Sequence, residues 1–191
     1  KVNMFTKATA ETAKVTHPAV VVAVARMCHQ AGAKVRIVER RPQYETDFGG
    51  IEAIREVAEL VALEDVPHTH KSLPGARSLV HQVPWPDLID ACDVFINIPG
   101  LRTHALTTMS NGMKNLMGLM PDESTRLIHH YGLDGAICDL NYHRPSDLVV
   151  TEAIYTLEGN FPSEGSPVRT DLITVATNVV AADLVGAKIL G

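Results

Sequence analysis

Helical and extended patterns alternate along this chain, and that alternation limits its fold more than any other feature. Val20, Val21, Val24, Met27, Cys28 and Ala31 recur at helical spacing. Thr16 or His17 can cap this helix, Pro18 suits its first turn, and Gly32 ends it. "KVRIVER", residues 34–40, then reads as a strand, and 42–49 as a loop. A second helix is expected from about Gly50 to Leu63, with Ile51, Ile54, Val57, Ala58 and Val61 on one face. The His- and Pro-rich stretch 65–86 carries strand-like pieces near 66–70 and 79–83, and 87–92 suits a short helix. "DVFINI", residues 93–98, is a short apolar run of the kind found in buried strands.

Beyond it, a helix is expected over 110–120 and a weaker one over 124–131, while 134–140 is ambiguous. A long strand over 147–159 leads through a Gly-, Pro- and Ser-rich loop to a further strand, "DLITVAT", residues 171–177. Asn178 can cap a last helix over 179–190. Strands interleaved with helices predict a layered α/β fold, a largely parallel sheet flanked by helices, in one domain over 1–191.

Composition narrows the function classes. The net charge of -5 argues against a general nucleic-acid binder, which needs a basic surface. No apolar run is long enough to span a membrane. Cys28, Cys92 and Cys138 stand apart, each inside an apolar segment. They are read as small buried hydrophobes, and their odd number suits a reducing, cytoplasmic setting. Three cysteines cannot supply the usual four thiolates of an iron–sulfur cluster, so no Cys-ligated cluster is expected within this chain.

The chemistry concentrates after "DVFINI". Ligands of open α/β sheets bind beyond the carboxyl ends of strands. The segment "IPGLRTHALTTMSNGMKNLMG" lies there and supplies Arg102, Thr103, His104, Lys114 and Asn115. Cations, hydroxyls and an expected helix N-terminus near Ser110 suit a phosphate or carboxylate. Neither a P-loop nor a GxGxxG fingerprint is present. Glu152 and Glu158 are six apart, and strict alternation would set them on one strand face as an acid/base or metal-binding pair. A solvent-facing edge is at least as good a reading of Glu152, and the wet face of the last helix is the better reading of Asp183. The nine histidines show no metal-binding spacing; His104 and His129 are the two to test first.

Several fragments together resemble one family. "KVN" is similar to its opening KPN motif, and "THPAVVVAVARMCHQAGAKVRIVE" to its THPEVV…AGA helix and strand. "CDVFINIPGLRTHALTTMSNGMKNLMGLMP" resembles its ADVVINVPKLKTH…KNLMG core. "DLVVTEAIYTLEGNFPSEGSPV" and "TNVVAADLVGAKILG" resemble its EG-containing segment and its DPVALDAVGA ending. The family is the domain of unknown function 362, whose members resemble α/β proteins and often occur with ferredoxin-like 4Fe–4S segments. The resemblance implies a redox or metal-linked setting and no particular reaction.

Position by position it points to Lys1, Asn3, Arg102, Thr103, His104, Lys114, Asn115, Glu158, Gly159 and Asp183. Arg102 stands where the family has Lys, Glu152 where it has Asp, and Val2 where it has Pro. The family's EGxGP reads EGNFP here. Because the motif opens at Lys1, the chain is expected to lack part of the family's first strand and any C-terminal extension.

The expectation is a strand-end pocket for an anionic small molecule, in an enzyme or enzyme domain. Lys1, Asn3, Arg102, Thr103, Lys114 and Asn115 would bind the anion, and His104, Glu158 and Asp183 would be the catalytic candidates. A divalent metal is a candidate cofactor. The alternatives are a non-catalytic module docking a ferredoxin-like iron–sulfur partner, and a metal-binding protein.

Overall fold

The computed structural model describes residues 1–4, 6–40, 50–73 and 81–191. The helices at the two ends follow local rules. Helix α1 (Pro18–Gln30) has Pro18 at its first position and the His17 ring as its cap, with Nδ1 accepting from the Ala19 N–H at 3.2 Å. Thr16 is not the cap; its hydroxyl donates to Ile98 O at 2.9 Å and ties the start of α1 to the strand region. Gly32, at a φ of 85°, takes the left-handed conformation that follows a helix end. Helix α7 (Val179–Leu190) is capped by Asn178, whose side chain accepts from the Ala181 N–H at 2.9 Å.

The expected helix over 50–63 is corrected. Helix α2 covers only Ile51–Arg55, and the chain then enters strand β2 (Glu59–Ala62), parallel to β1 (Arg36–Glu39). "ELVA" carries the apolar content of a helix turn, but pairing beside β1 satisfies its backbone while Ile54, with Ile51 beside it, anchors α2 in the core. Strands β3 (His68–Ser72) and β4 (Gln82–Pro86) form an antiparallel pair, and α3 (Asp87–Asp90) follows. The loop expected over 42–49 and residues 79–80 of the strand-like piece near 79–83 lie outside the described residues, and its end falls at the start of β4.

The sheet that carries the site is mixed, not largely parallel. The long strand β8 (Leu148–Glu158) has β5 (Ile96–Asn97) and β6 (Gly100–His104) parallel along one edge and β9 (Ser166–Ala176) antiparallel along the other. Strand β7 (Thr108–Ser110) returns antiparallel on β6. The run "DVFINI" therefore gives only two paired residues before a kink at Pro99 and a second strand begins. β6 and β7 form a hairpin, and β8 and β9 are joined by the Gly-rich loop, so both connections are too short for a parallel crossover.

Pairing along β8 is irregular. Gly100 aligns with Glu152 and Arg102 with Leu157, so β8 carries three extra residues between these points. Glu152 explains how that irregularity is tolerated. Its Oε1 accepts from the N–H groups of Ile154 at 2.8 Å and Tyr155 at 3.4 Å, and its Oε2 from the His17 N–H at 3.2 Å. Backbone donors that a regular ladder would have paired are satisfied by this buried carboxylate. The same irregularity breaks the alternation that was expected to align Glu152 with Glu158; the first is buried and the second exposed.

Two apolar cores flank these strands. One gathers Trp85, Leu116, Leu119, Met120, Ile128 and Leu140; the other gathers Val2, Val20, Val21, Ile37, Ile54, Ile98 and Val150. The expected helix over 110–120 is broken into α4 (Gly112–Asn115) and a 3-10 turn over Leu116–Leu119. Two longer helices, α5 (Asp122–Tyr131) and α6 (Leu133–His143), follow, and α6 resolves the ambiguous stretch 134–140. The cysteines depart from expectation: Cys28 and Cys92 are half-buried and Cys138 is exposed, all as free thiols.

Candidate functional site

A cleft of about 200 Å³ opens between the start of the chain, β6, α4 and the Phe161–Pro162 loop. Six of the residues singled out in the sequence converge on it: Lys1, Asn3, Arg102, His104, Lys114 and Asn115. Strand alternation sets Arg102 and His104 on one side of β6 and Thr103 on the other. The Thr103 hydroxyl is engaged with the carbonyls of Leu157 at 3.0 Å and Gly159 at 2.7 Å, so it fastens β6 to the end of β8.

Glu158 is exposed and outside the cleft lining. Asp183 is half-buried and also outside it. Its carboxylate accepts from the Met113 N–H at 3.2 Å and 3.4 Å. The start of α4, expected to receive an anion, is thus already occupied by a carboxylate of this chain, and α4 has only four residues. Burial raises the Asp183 carboxyl to about 6, partly offset by the backbone donors of Met113 and Gly112. The solvent-facing reading of Asp183 gives way to a capping one.

The cations of the cleft fall into two groups. Lys1 Nζ donates to Glu39 Oε2 at 2.9 Å, to the Val2 carbonyl and, more weakly, to Asn115 Oδ1 at 3.5 Å. Both side chains of the Lys1–Glu39 pair are 2% exposed. Glu39 also accepts from the N–H groups of Met4 and Arg40 at 2.8 Å each. Arg40 in turn is bound to Asp122 at 2.7 Å and to the Thr125 hydroxyl at 2.9 Å. These charges are spoken for.

Arg102 and Lys114 are not paired in this way. Arg102 is 2% exposed; its Nε donates to the Ala13 carbonyl and its guanidinium lies 5.1 Å from the Phe161 ring centroid. Its Nη2 is buried and has no hydrogen-bond partner among the described residues. Burial lowers the guanidinium to about 10, opposed by the negative charges of Glu152 and Glu39. Lys114 has no hydrogen bond or ion pair among the described residues, and burial together with the nearby Arg102 lowers its ammonium to about 8. A buried, unpaired donor costs free energy that a bound acceptor would recover.

His104 packs edge-on against Phe161 at 5.9 Å and is held by the N–H groups of Leu106 at 3.1 Å and Thr107 at 3.4 Å, both donating to Nδ1. With Nδ1 accepting, the ring proton resides on Nε2. Burial and the positive charges of Lys114, His129 and Arg102 lower the ring to about 4, so it is neutral near pH 7. His129 also lines the cleft, with Nδ1 donating to the Thr125 carbonyl at 2.6 Å. Asn115 Nδ2 donates to Asn97 Oδ1 at 2.7 Å, and Asn111 is pinned by Ala182 O at 3.2 Å and the Thr151 hydroxyl at 3.0 Å, which fixes the floor.

Close approach of the guanidinium requires Gly100, because a Cβ there would lie 2.5 Å from Arg102 Nη2. Sequence reasoning missed Glu39, Arg40, Thr125 and Phe161 as cleft residues. The only local signal for Glu39 and Arg40 was the charged end of "KVRIVER".

Among the described residues no group of three or more His, Cys, Asp or Glu is arranged to hold a metal ion. No described helix is long and apolar enough to cross a membrane.

The family described as "Domain of unknown function (DUF362)" matches residues 1–188. A curated relative, a thylakoid-associated protein of Synechocystis sp. (strain PCC 6803), is 31% identical over 186 residues, covering 92% of this chain. The chain spans 57% of that relative's length.

Proposed function

This chain belongs to the DUF362 family, and on that footing we propose that its cleft binds a small anionic molecule, a phosphate or carboxylate, between Arg102 and Lys114. The observation that carries this reading is the contrast in partners. The Lys1 and Arg40 side chains each have an acidic neighbour in contact, whereas Arg102 Nη2 and Lys114 Nζ have no acceptor among the described residues. An oxyanion would supply acceptors to both, and the His104 Nε2–H would be a third donor. His104 serves here as a neutral donor, since its ring holds no second proton near pH 7. Asn3, Asn115 and Lys1 shape the opposite wall. The helix start near Ser110 and the carboxylates Glu158 and Asp183 have no part in this reading.

Calorimetric titration with inorganic phosphate and with citrate tests it. The wild-type chain should bind at least one of them, and Lys114→Ala and Arg102→Lys should each weaken that binding by about tenfold or more, the worth of one charge-assisted hydrogen bond. Wild-type affinity in both variants, or no binding of either anion by the wild type, overturns the reading.

A further inference from the structure

We propose that strand β9 is the junction of a symmetric dimer, in which a second copy of this chain continues the sheet across the β9 edge. Strand β9 pairs with β8 along one edge only; among the described residues nothing pairs with the other. An unpaired edge strand of eleven residues offers a row of backbone donors and acceptors to another strand.

Arg169 and Asp171 pair with each other at 2.9 Å in the first half of β9, and the second half, Leu172–Ala176, is apolar apart from Thr174. Leu172, Ile173 and Val175 on β9 are 43%, 51% and 62% exposed, and Val180, Leu184 and Val185 on α7 are 49%, 62% and 45% exposed. Register places the three β9 side chains on both faces of the sheet. Ile173 and Val175 lie opposite Glu152 and Val150, on the face that packs α1. Leu172 lies opposite Ala153, on the face where α7 contacts β8. Apolar surface on both sides of an open edge calls for a partner that brings a strand together with cover on both faces. A helix laid flat on one face would leave the other exposed. A second copy meets all three needs at once, because its own edge and both flanks are the same, and a two-fold axis pairs β9 with β9 antiparallel.

The area fits. The six side chains expose roughly 400 Å² per copy, about the apolar half of the ~800 Å² that each partner gives to a stable interface. Helix α7 supports this independently of the edge. Apart from Asp183 and Lys188 its sequence is apolar or glycine, yet only Ala182 and Gly186 are buried. A helix apolar on most of its circumference belongs inside an assembly.

Sedimentation equilibrium of the 191-residue chain, from about 1 to 200 µM, tests the proposal. The expected species at the upper end has twice the 20.7 kDa monomer mass. Ile173→Lys and, separately, Leu184→Glu should each shift dissociation to at least tenfold higher concentration with an unchanged circular dichroism spectrum. Two sites are used because a fold defect at one would leave the other informative. Hydrogen exchange should show amides of β9 more protected in the dimer than in Ile173→Lys. The proposal is overturned by a monomer at the highest concentration, by a dimer indifferent to both substitutions, or by unbounded aggregation without a discrete dimer. Protection of β9 seen only in a longer polypeptide, with this chain monomeric, would also overturn it, in favour of intrachain cover.

Discussion

Lys1 and Lys114 line the same cleft, and their chemistry is opposite. Lys1 is held by a buried carboxylate that also collects two backbone N–H groups; Lys114 touches no acceptor among the described residues. The first is part of how the chain holds β1 to its own beginning. The second is a half-buried charge with no acceptor among the described residues, which folding alone does not favour. The difference separates a cation that stabilises the fold from one that the proposed anion would engage.

Stability should expose that difference most sharply. Glu39→Gln strands a buried ammonium and should cost about 3–5 kcal/mol in urea unfolding, whereas Lys114→Met removes an unpaired charge and should cost less than about 0.5 kcal/mol or stabilise. Equal losses from the two substitutions would erase the comparison.

A smaller effect concerns His104. Its folded value, about 4, lies below the ordinary 6.5, so between these values the unfolded chain binds the proton and the folded chain does not. Stability is therefore complete above pH 6.5 and falls as pH drops toward 4, by roughly 1–3 kcal/mol, and His104→Gln should flatten that part of the profile. Lys114 moves the other way in binding. Its ammonium loses its proton through about pH 8, so phosphate affinity should hold below that and decline above it, in titrations run at constant ionic strength. Smallest is Asp183→Ala, which removes the cap of α4 at a cost of about 1 kcal/mol or less and leaves phosphate affinity unchanged. A large loss of affinity there would join Asp183 to the site and blur its separation from Lys114.

The elements legible in the sequence were those decided locally. Helices α1 and α7 announced themselves through Pro18, His17, Gly32 and Asn178, all within a turn of the helix ends. The pairing of Arg102 with Lys114 in one cleft was also legible, because a hairpin of a few residues brings β6 back toward α4. Long-range partners were not. Nothing near Lys1 indicates Glu39, which arrives through the pairing of β1 beside the chain start. Asp183 looked solvent-facing because its acceptor role depends on α4, some seventy residues away. The helix expected over 50–63 failed for the same reason: β2 exists because β1 lies beside it. Glu152 could not be read by alternation once β8 gained three residues against β6.

The titration of Lys114 tests the proposed anion site most directly. The Lys114 side-chain Cε resonance, assigned by its loss in Lys114→Arg, can be followed by NMR across pH with and without saturating phosphate. The expected midpoint is near 8 in the free protein, raised by at least one unit when phosphate is bound. A free midpoint near the ordinary 10.5 of lysine, unmoved by phosphate, would contradict it.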